Sequence, residues 1–250
     1  MNQWNKPPLG SIIDHEHPLS RGLAGCWLMN EGSGNRIYDL SGNGNDGVLT
    51  NGPLWKPGRN GAAIELDGNT NHINFGNGNQ LKIGHGTWSS WIYPTSFADH
   101  AYHTVLSSEY STGFWFGLYQ NSGRVQLWVG GAAESSAGAV ALNVPSLITA
   151  TWDGITIKYY INGRLDDLDA LTAAPIYSAF DLWLGRDPGS PALYQFTGKI
   201  DDVRIWNRAL SAQEVQDLYI NPYGFIWEPQ KYWLMPQGVT IPPHLFRRVA

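Results

Sequence analysis

From residue 21 to about residue 220 the chain is a succession of short runs in which apolar and polar residues alternate at every second position, broken by Gly, Asn, Asp and Ser. A period of two belongs to strands with one buried face, so the pattern predicts an all-β, antiparallel jelly-roll sandwich. Phe114-Trp-Phe-Gly-Leu-Tyr119, Asn121-Ser-Gly123 and Val125-Gln-Leu-Trp-Val129 read as a hairpin with a short glycine-containing loop. Alternation puts Phe114, Phe116, Leu118, Val125, Leu127 and Val129 on one face, and Trp115, Tyr119, Gln126 and Trp128 on the other. Residues 147–152 and 155–161 flank Asp153-Gly154 as a second hairpin, with a tight turn at Asn162-Gly163. A late strand is predicted from Ile200 to Trp206. Ser211-Ala-Gln-Glu214 then has the capping-box spacing of one short helix, stopped before Pro222.

Outside this region the period is lost. Residues 1–20 are polar and proline-containing, and residues 221–250 place five prolines among Tyr223, Phe225, Trp227, Tyr232, Trp233 and Phe246. Proline fixes φ and lacks a donor, so both ends are expected as extended arms on a sandwich at 21–220. A tail this aromatic is unfavourable in water. Tyr223, Phe225, Trp227, Trp233 and Phe246 are therefore candidates for docking on a partner, with a strap across the chain's own sandwich as the alternative. Two arms on an acidic sandwich also suggest a homo-oligomer. The net charge of -5 argues against general attraction to nucleic acid or anionic membrane. A single cysteine, Cys26, excludes an intrachain disulfide and a Cys-based zinc cage. The opening residues lack the basic and apolar regions of a secretory signal, and no apolar run approaches the length of a membrane span.

Several motifs fall in a telling order: Gly22-Leu-Ala-Gly-Cys-Trp-Leu-Met-Asn-Glu-Gly-Ser-Gly34, Asp39-Leu-Ser-Gly-Asn-Gly-Asn-Asp-Gly47, Ile64-Glu-Leu-Asp-Gly68, Trp88-Ser-Ser-Trp91, Thr149-Ala-Thr-Trp-Asp-Gly154, Tyr160-Ile-Asn-Gly163, Leu184-Gly185, and the run from Gly198 to Glu214. Over roughly residues 21–220 they resemble the laminin-G-like branch of the concanavalin-A-like lectin/glucanase jelly rolls. The resemblance implies a concave sheet on which a glycan can lie. It also implies a structural calcium joining the Glu31/Asp39 region to the last strand, near Asp201 and Asp202. The opening together with the Pro/aromatic tail is similar to domains carried on tailed-phage structural proteins. That likeness implies a virion-attached or extracellular setting, cytoplasmic before assembly, with capsid or tail proteins as partners.

Glucanases of the resembled fold carry E-x-D-x-x-E on one strand. Glu65-Leu66-Asp67 begins that pattern, but Thr70 stands where the last Glu belongs, so no acid is left to protonate a leaving group. Gly42-Asn-Gly-Asn-Asp-Gly47 formally matches G-x-G-x-x-G, yet Val48-Leu-Thr-Asn-Gly-Pro53 cannot open the helix a dinucleotide site requires. The same loop offers oxygen ligands at alternate positions, Asp39, Ser41 and Asn43, with Asn45 and Asp46 beside them. With the implied partners, the candidate calcium set is Glu31, Asp39, Ser41, Asn43 and Asp202; an Asx-rich turn that satisfies its own backbone is the alternative. Asp14-His15-Glu16-His17 has no third partner for a transition metal, and His100 and His103, near Tyr102, are expected on a loop surface.

Aromatic residues carry the functional signal: 12 Trp and 12 Tyr in 250 residues. Trp91 and Tyr93 share a strand face, as do Trp115, Tyr119, Gln126 and Trp128. These six are the candidate carbohydrate surface, because sugar C–H faces pack on such rings while Asn121, Gln126 and Glu109 can meet hydroxyls. The alternative is ordinary sandwich core. The expectation is a non-catalytic binding module that decorates or adheres, against a purely structural assembly protein or a glycan-cleaving enzyme.

Overall fold

The structure, a computed structural model, describes residues 5–228. Two antiparallel sheets face each other. The front sheet runs in the order Ala132–Ala139, Arg124–Val129, Phe114–Tyr119, Tyr102–Ser107, Trp183–Leu184, His72–Asn74, Gly47–Thr50, Arg36–Ile37. The back sheet runs Arg164–Ala170, Thr156–Ile161, Ser146–Trp152, Gly86–Pro94, Thr197–Trp206, Ala62–Asp67, Leu54–Pro57, and Leu23–Trp27 pairs with Thr197–Trp206 beside this path.

The main core forms where inward positions of the two sheets meet. Phe114, Phe116, Leu118, Val125, Leu127 and Val129 come from the front, and Trp88, Ile92, Ile148, Ala150, Trp152, Ile200 and Ile205 from the back. This is the face assignment that alternation predicts for the first hairpin. Two of the buried indoles have their N–H satisfied by backbone: Trp152 Nε1 donates to the Leu171 carbonyl at 2.7 Å and Trp27 Nε1 to the Asn45 carbonyl at 2.7 Å. The hairpin turn closes through Gly123 at φ +70°, where a Cβ would lie 2.5 Å from the Val140 carbonyl oxygen. The helix spans Ala212–Ile220 behind the predicted box: Ser211 Oγ accepts from Glu214 N at 3.3 Å, and Glu214 Oε2 accepts from Ser211 N at 2.9 Å.

The long strand Thr197–Trp206 changes partner halfway. Its first half pairs with Ala62–Asp67 and its second half with Leu23–Trp27, and the register against Gly86–Pro94 shifts between Asp201 and Arg204. Asp202 sits in this irregularity at φ +48°. The bulge turns Asp202, Arg204 and Trp206 away from the main core. There a second core gathers Leu19, Cys26, Leu28, Tyr160, Trp206, Val215, Leu218, Tyr223 and Phe225.

That second core takes the strap alternative for the described part of the arms. Ile12–Ile13 pairs with Ile226–Trp227, so these two segments form a ribbon on the domain they belong to. Phe225 is fully buried and Tyr223 nearly so, which removes both as docking residues and makes them strap residues. Trp227, opposite Ile12, remains 55% exposed. Trp233 and Phe246 lie outside the described residues. From the other end Lys6 enters the bulge. Its Nζ donates to the Asp201 carboxylate, the Ala62 carbonyl and, at 3.2 Å, the Met29 carbonyl.

Candidate functional site

The six predicted carbohydrate residues do not form one patch. Trp115, Tyr119, Gln126 and Trp128 face outward from the front sheet, whereas Trp91 and Tyr93 lie on the back sheet. On the front, register sets Trp115 opposite Trp128, Gly117 opposite Gln126 and Tyr119 opposite Tyr102. A bridge from Tyr102 to Tyr194 adds a ring from a distant segment, and the loop after Ser107 adds Tyr110. Trp115 is the floor: it is 1% exposed, and its Nε1 donates to Thr104 Oγ1 at 2.6 Å. It supports the surface without meeting a ligand, a correction to its predicted role.

Above it four half-buried rings close a circuit. Tyr102 meets Trp128 at 5.8 Å and 87°, Trp128 meets Tyr110 at 5.5 Å and 80°, Tyr110 meets Tyr194 at 5.2 Å and 85°, and Tyr194 meets Tyr102 at 5.0 Å and 84°. Tyr119 tilts against Tyr102 at 5.7 Å. Edge-to-face pairs of this kind add about 0.5–1.5 kcal/mol each beyond buried area, so the rings are held in place before any ligand arrives. Gln126 Oε1 accepts from Trp128 Nε1 at 2.8 Å and fixes that indole. Among the described residues no chain group hydrogen-bonds to the hydroxyls of Tyr102, Tyr110, Tyr119 or Tyr194. Four donor–acceptor groups thus stand on an ordered aromatic surface.

Two carboxyl groups stand beside the circuit. Glu109, at φ +93°, accepts from Ser111 N and Thr112 N, both at 2.9 Å, and from Thr112 Oγ1 at 2.6 Å. Burial pushes its pKa up, but these bonds from Ser111 and Thr112 outweigh it and hold the carboxyl below the usual range. Asp187 is fully buried and accepts from Ser107 Oγ at 2.5 Å and Ser190 N at 2.6 Å. Burial dominates there and raises its pKa. Gly189 fits between the two, since a Cβ would lie 2.6 Å from Glu109 Cγ and 3.3 Å from Asp187 Oδ1. The acids organise the two loops that present Tyr110 and Tyr194.

On the back sheet Trp91 and Tyr93 line a pocket of about 200 Å³ with Pro57, Gly58, Arg59 and Lys199. Trp91 is 4% exposed, with the Arg59 guanidinium 4.0 Å above its ring. Its ring face is therefore covered by Arg59 and is not open to direct stacking.

At the candidate calcium set, the Asp39 oxygens are taken up by the chain's own donors. Asp39 Oδ1 accepts from Cys26 N and Ser41 N, both at 3.0 Å, and Oδ2 from Asn45 N and Asn45 Nδ2, both at 3.1 Å. Four N–H groups pointing at one carboxylate satisfy it and repel a cation. Ser41 Oγ accepts from Asn43 N at 3.3 Å, and Asn43 Nδ2 donates to the Leu23 and Ala24 carbonyls. Glu31 Oε1 accepts from Tyr38 N, and burial raises that carboxyl's pKa. Asp202 has partners of its own: Oδ2 accepts from Tyr223 Oη at 2.5 Å, and Oδ1 lies 3.7 Å from Arg204. Among the described residues no group of three or more His, Cys, Asp or Glu is placed to hold a metal. The loop is the Asx-rich turn. Asp14 Oδ1 caps Glu16 N and His17 Nδ1 accepts from Leu19 N, so that cluster is a turn as well. His103 is buried rather than on a loop surface, and burial lowers its pKa. Asp67 Oδ1 accepts from Asn69 N, in keeping with a turn after Glu65.

No curated protein matches the chain in sequence. Among solved structures it is similar to the binding domain of Paraclostridial Mosquitocidal Protein 1, with a TM-score of 0.66 and 19% identity over 82% of this chain and 53% of that one. Domain 4 of AbnA, a GH43 extracellular arabinanase from Geobacillus stearothermophilus solved with arabinotriose, aligns with a TM-score of 0.62 and 18% identity, covering 79% of this chain and 98% of that domain. The binding domain of botulinum neurotoxin DC, solved with SialylT, gives 0.62 and 12% identity over 81% and 52%. The chain spans about half the length of the two toxin domains. At such identities the likeness is one of fold. A laminin-G family model described as the concanavalin A-like lectin/glucanases superfamily matches residues 67–216. That match covers more than half of the sequence and agrees with the two-sheet architecture, and the chain belongs to the concanavalin A-like lectin/glucanases superfamily.

Proposed function

We propose that this chain is a non-catalytic carbohydrate-binding module that takes neutral saccharides on the outer face of the front sheet. The observation that carries the reading is the closed circuit of Tyr102, Trp128, Tyr110 and Tyr194 with its unpaired hydroxyls. Rings offer apolar area to sugar C–H faces, and phenolic hydroxyls exchange hydrogen bonds with sugar hydroxyls. Rings already ordered by one another lose little freedom on binding. Carbohydrate complexes of fold relatives, the arabinanase domain with arabinotriose and the neurotoxin domain with SialylT, support the class of ligand. A glycosidase needs two carboxyl groups that reach the scissile bond. Glu109 and Asp187 are buried with their oxygens occupied by chain donors, which favours binding over cleavage. Display on a virion or another exterior surface is the setting in which we place the module.

A glycan array tests this, with Trp128→Ala and Tyr102→Ala as controls. The expected result is binding of neutral glycans that both variants lose, without release of reducing sugar. Binding unchanged in both variants, or cleavage of the bound glycan, overturns the reading.

A further inference from the structure

The back-sheet pocket has chemistry opposite to that of the front face. Lys199 Nζ lies 5.4 Å over the Tyr93 ring and donates to the Pro57 carbonyl at 3.0 Å. An ammonium has three donors, so two more can turn into the pocket. The Arg59 guanidinium lies on Trp91, 4.0 Å from its centroid and 5.8 Å from the Tyr219 ring. Both cations are thus held over aromatic faces.

The negative groups nearby are already engaged. Asp201, which also lines the pocket, is buried and ion-paired with Lys6. Glu65, opposite Lys199 across the strands, lies 3.7 Å from Lys56. Among the described residues these two acids pair with other lysines, which leaves Lys199 with donors to spare on a chain whose net charge is -5. At about 200 Å³ the pocket is smaller than the roughly 300–1,000 Å³ sites that enclose a drug-sized ligand. It suits one sugar ring or one charged substituent of a longer chain.

We infer that the pocket between Trp91, Tyr93, Arg59 and Lys199 is a second saccharide site, one that takes the carboxylate of an acidic sugar. The carboxylate accepts charge-assisted hydrogen bonds from Lys199, with the Arg59 charge beside it. The pocket wall formed by Pro57, Pro145 and Tyr93 packs against the ring. This site goes beyond the neutral-sugar reading and stands on the other sheet, so either can fail alone.

Calorimetric titration with trigalacturonic acid and with its methyl ester, the same skeleton without charge, tests the inference. The acid is expected to bind at least tenfold more tightly than the ester, with affinity falling as salt rises. Lys199→Gln should weaken acid binding about tenfold, Arg59→Gln should weaken it as well, and Trp128→Ala should leave it unchanged. Both substitutions on the pocket alter exposed or half-buried side chains, and unchanged melting confirms their folding. Equal binding of acid and ester, no binding of the acid, or full acid affinity in Lys199→Gln overturns the second site. Loss of acid binding in Trp128→Ala overturns it too, by moving the acid to the front face.

Discussion

Replacing Lys6 by methionine removes the counter-charge of a buried carboxylate while preserving most of the side chain's length. The Lys6 and Asp201 side chains are 5% and 7% exposed, and Asp202 is the next residue. Breaking such a pair from one side costs about 3–5 kcal/mol, because the remaining charge stays buried without its partner. A domain of this size loses about 2–4 °C of melting temperature per kcal/mol, so a fall of roughly 6–20 °C is expected near neutral pH. The pH dependence has a definite sign. Burial, then Asp202, push the Asp201 pKa up, and Lys6 opposes them. A carboxyl with a raised folded pKa gives stability that is full below its unfolded value, near 3.8, and is lost as pH climbs through the folded value. Without Lys6 the upward push is stronger, so the deficit of Lys6→Met should be largest near neutrality and shrink in mild acid. Urea melts of the parent, Lys6→Met, Asp201→Leu and the double variant form the cycle, and the double variant should regain most of the loss. A Lys6→Met protein that melts with the parent at neutral pH, or whose deficit grows in acid, refutes the account of the N-terminal strap.

The C-terminal strap predicts a contrast between two neighbouring aromatics. Phe225→Ala should cost about 3–5 kcal/mol by chemical denaturation, whereas Trp227→Ser, at an exposed position, should stay within about 0.5 kcal/mol. Cys26 is fully buried, and burial pushes its thiol pKa up to about 12, so iodoacetamide should label it only after denaturation; rapid labelling of native protein would contradict this. Calcium or EDTA should leave the melting temperature unchanged, because the Asp39 carboxylate already holds four N–H donors; a shift that saturates with calcium would show a donor set other than the one at Asp39.

Strand periodicity carried the sandwich, the two faces of the first hairpin and the capped helix, because each depends on residues close together in the chain. Which sheet a strand joins depends on pairing across long separations. Trp91 and Trp115 could therefore be placed on strand faces, yet their positions on opposite sheets could not be read from alternation. Tyr102, Tyr110 and Tyr194 complete the front circuit and were missed for the same reason. Tyr102 stands between two histidines in the sequence, Tyr110 lies in a loop, and Tyr194 arrives through a bridge across more than ninety residues. The calcium set illustrates a different limit. Asp, Ser and Asn at alternate positions serve an ion and an Asx turn equally well, and only the direction of the backbone N–H groups separates the two. The arms read as extended, and their aromatic content called for packing on a partner or on their own sandwich. Lys6 in the bulge and Phe225 in the second core show where.

Contact between sugar and ring is the central claim, and NMR can observe it directly. Nuclear Overhauser effects from the C–H protons of a bound neutral oligosaccharide should reach the ring protons of Tyr102, Tyr110, Trp128 and Tyr194 and vanish in Trp128→Ala. Effects confined to Tyr93 and the back pocket, or a neutral sugar that binds with none at the four front rings, would contradict the account.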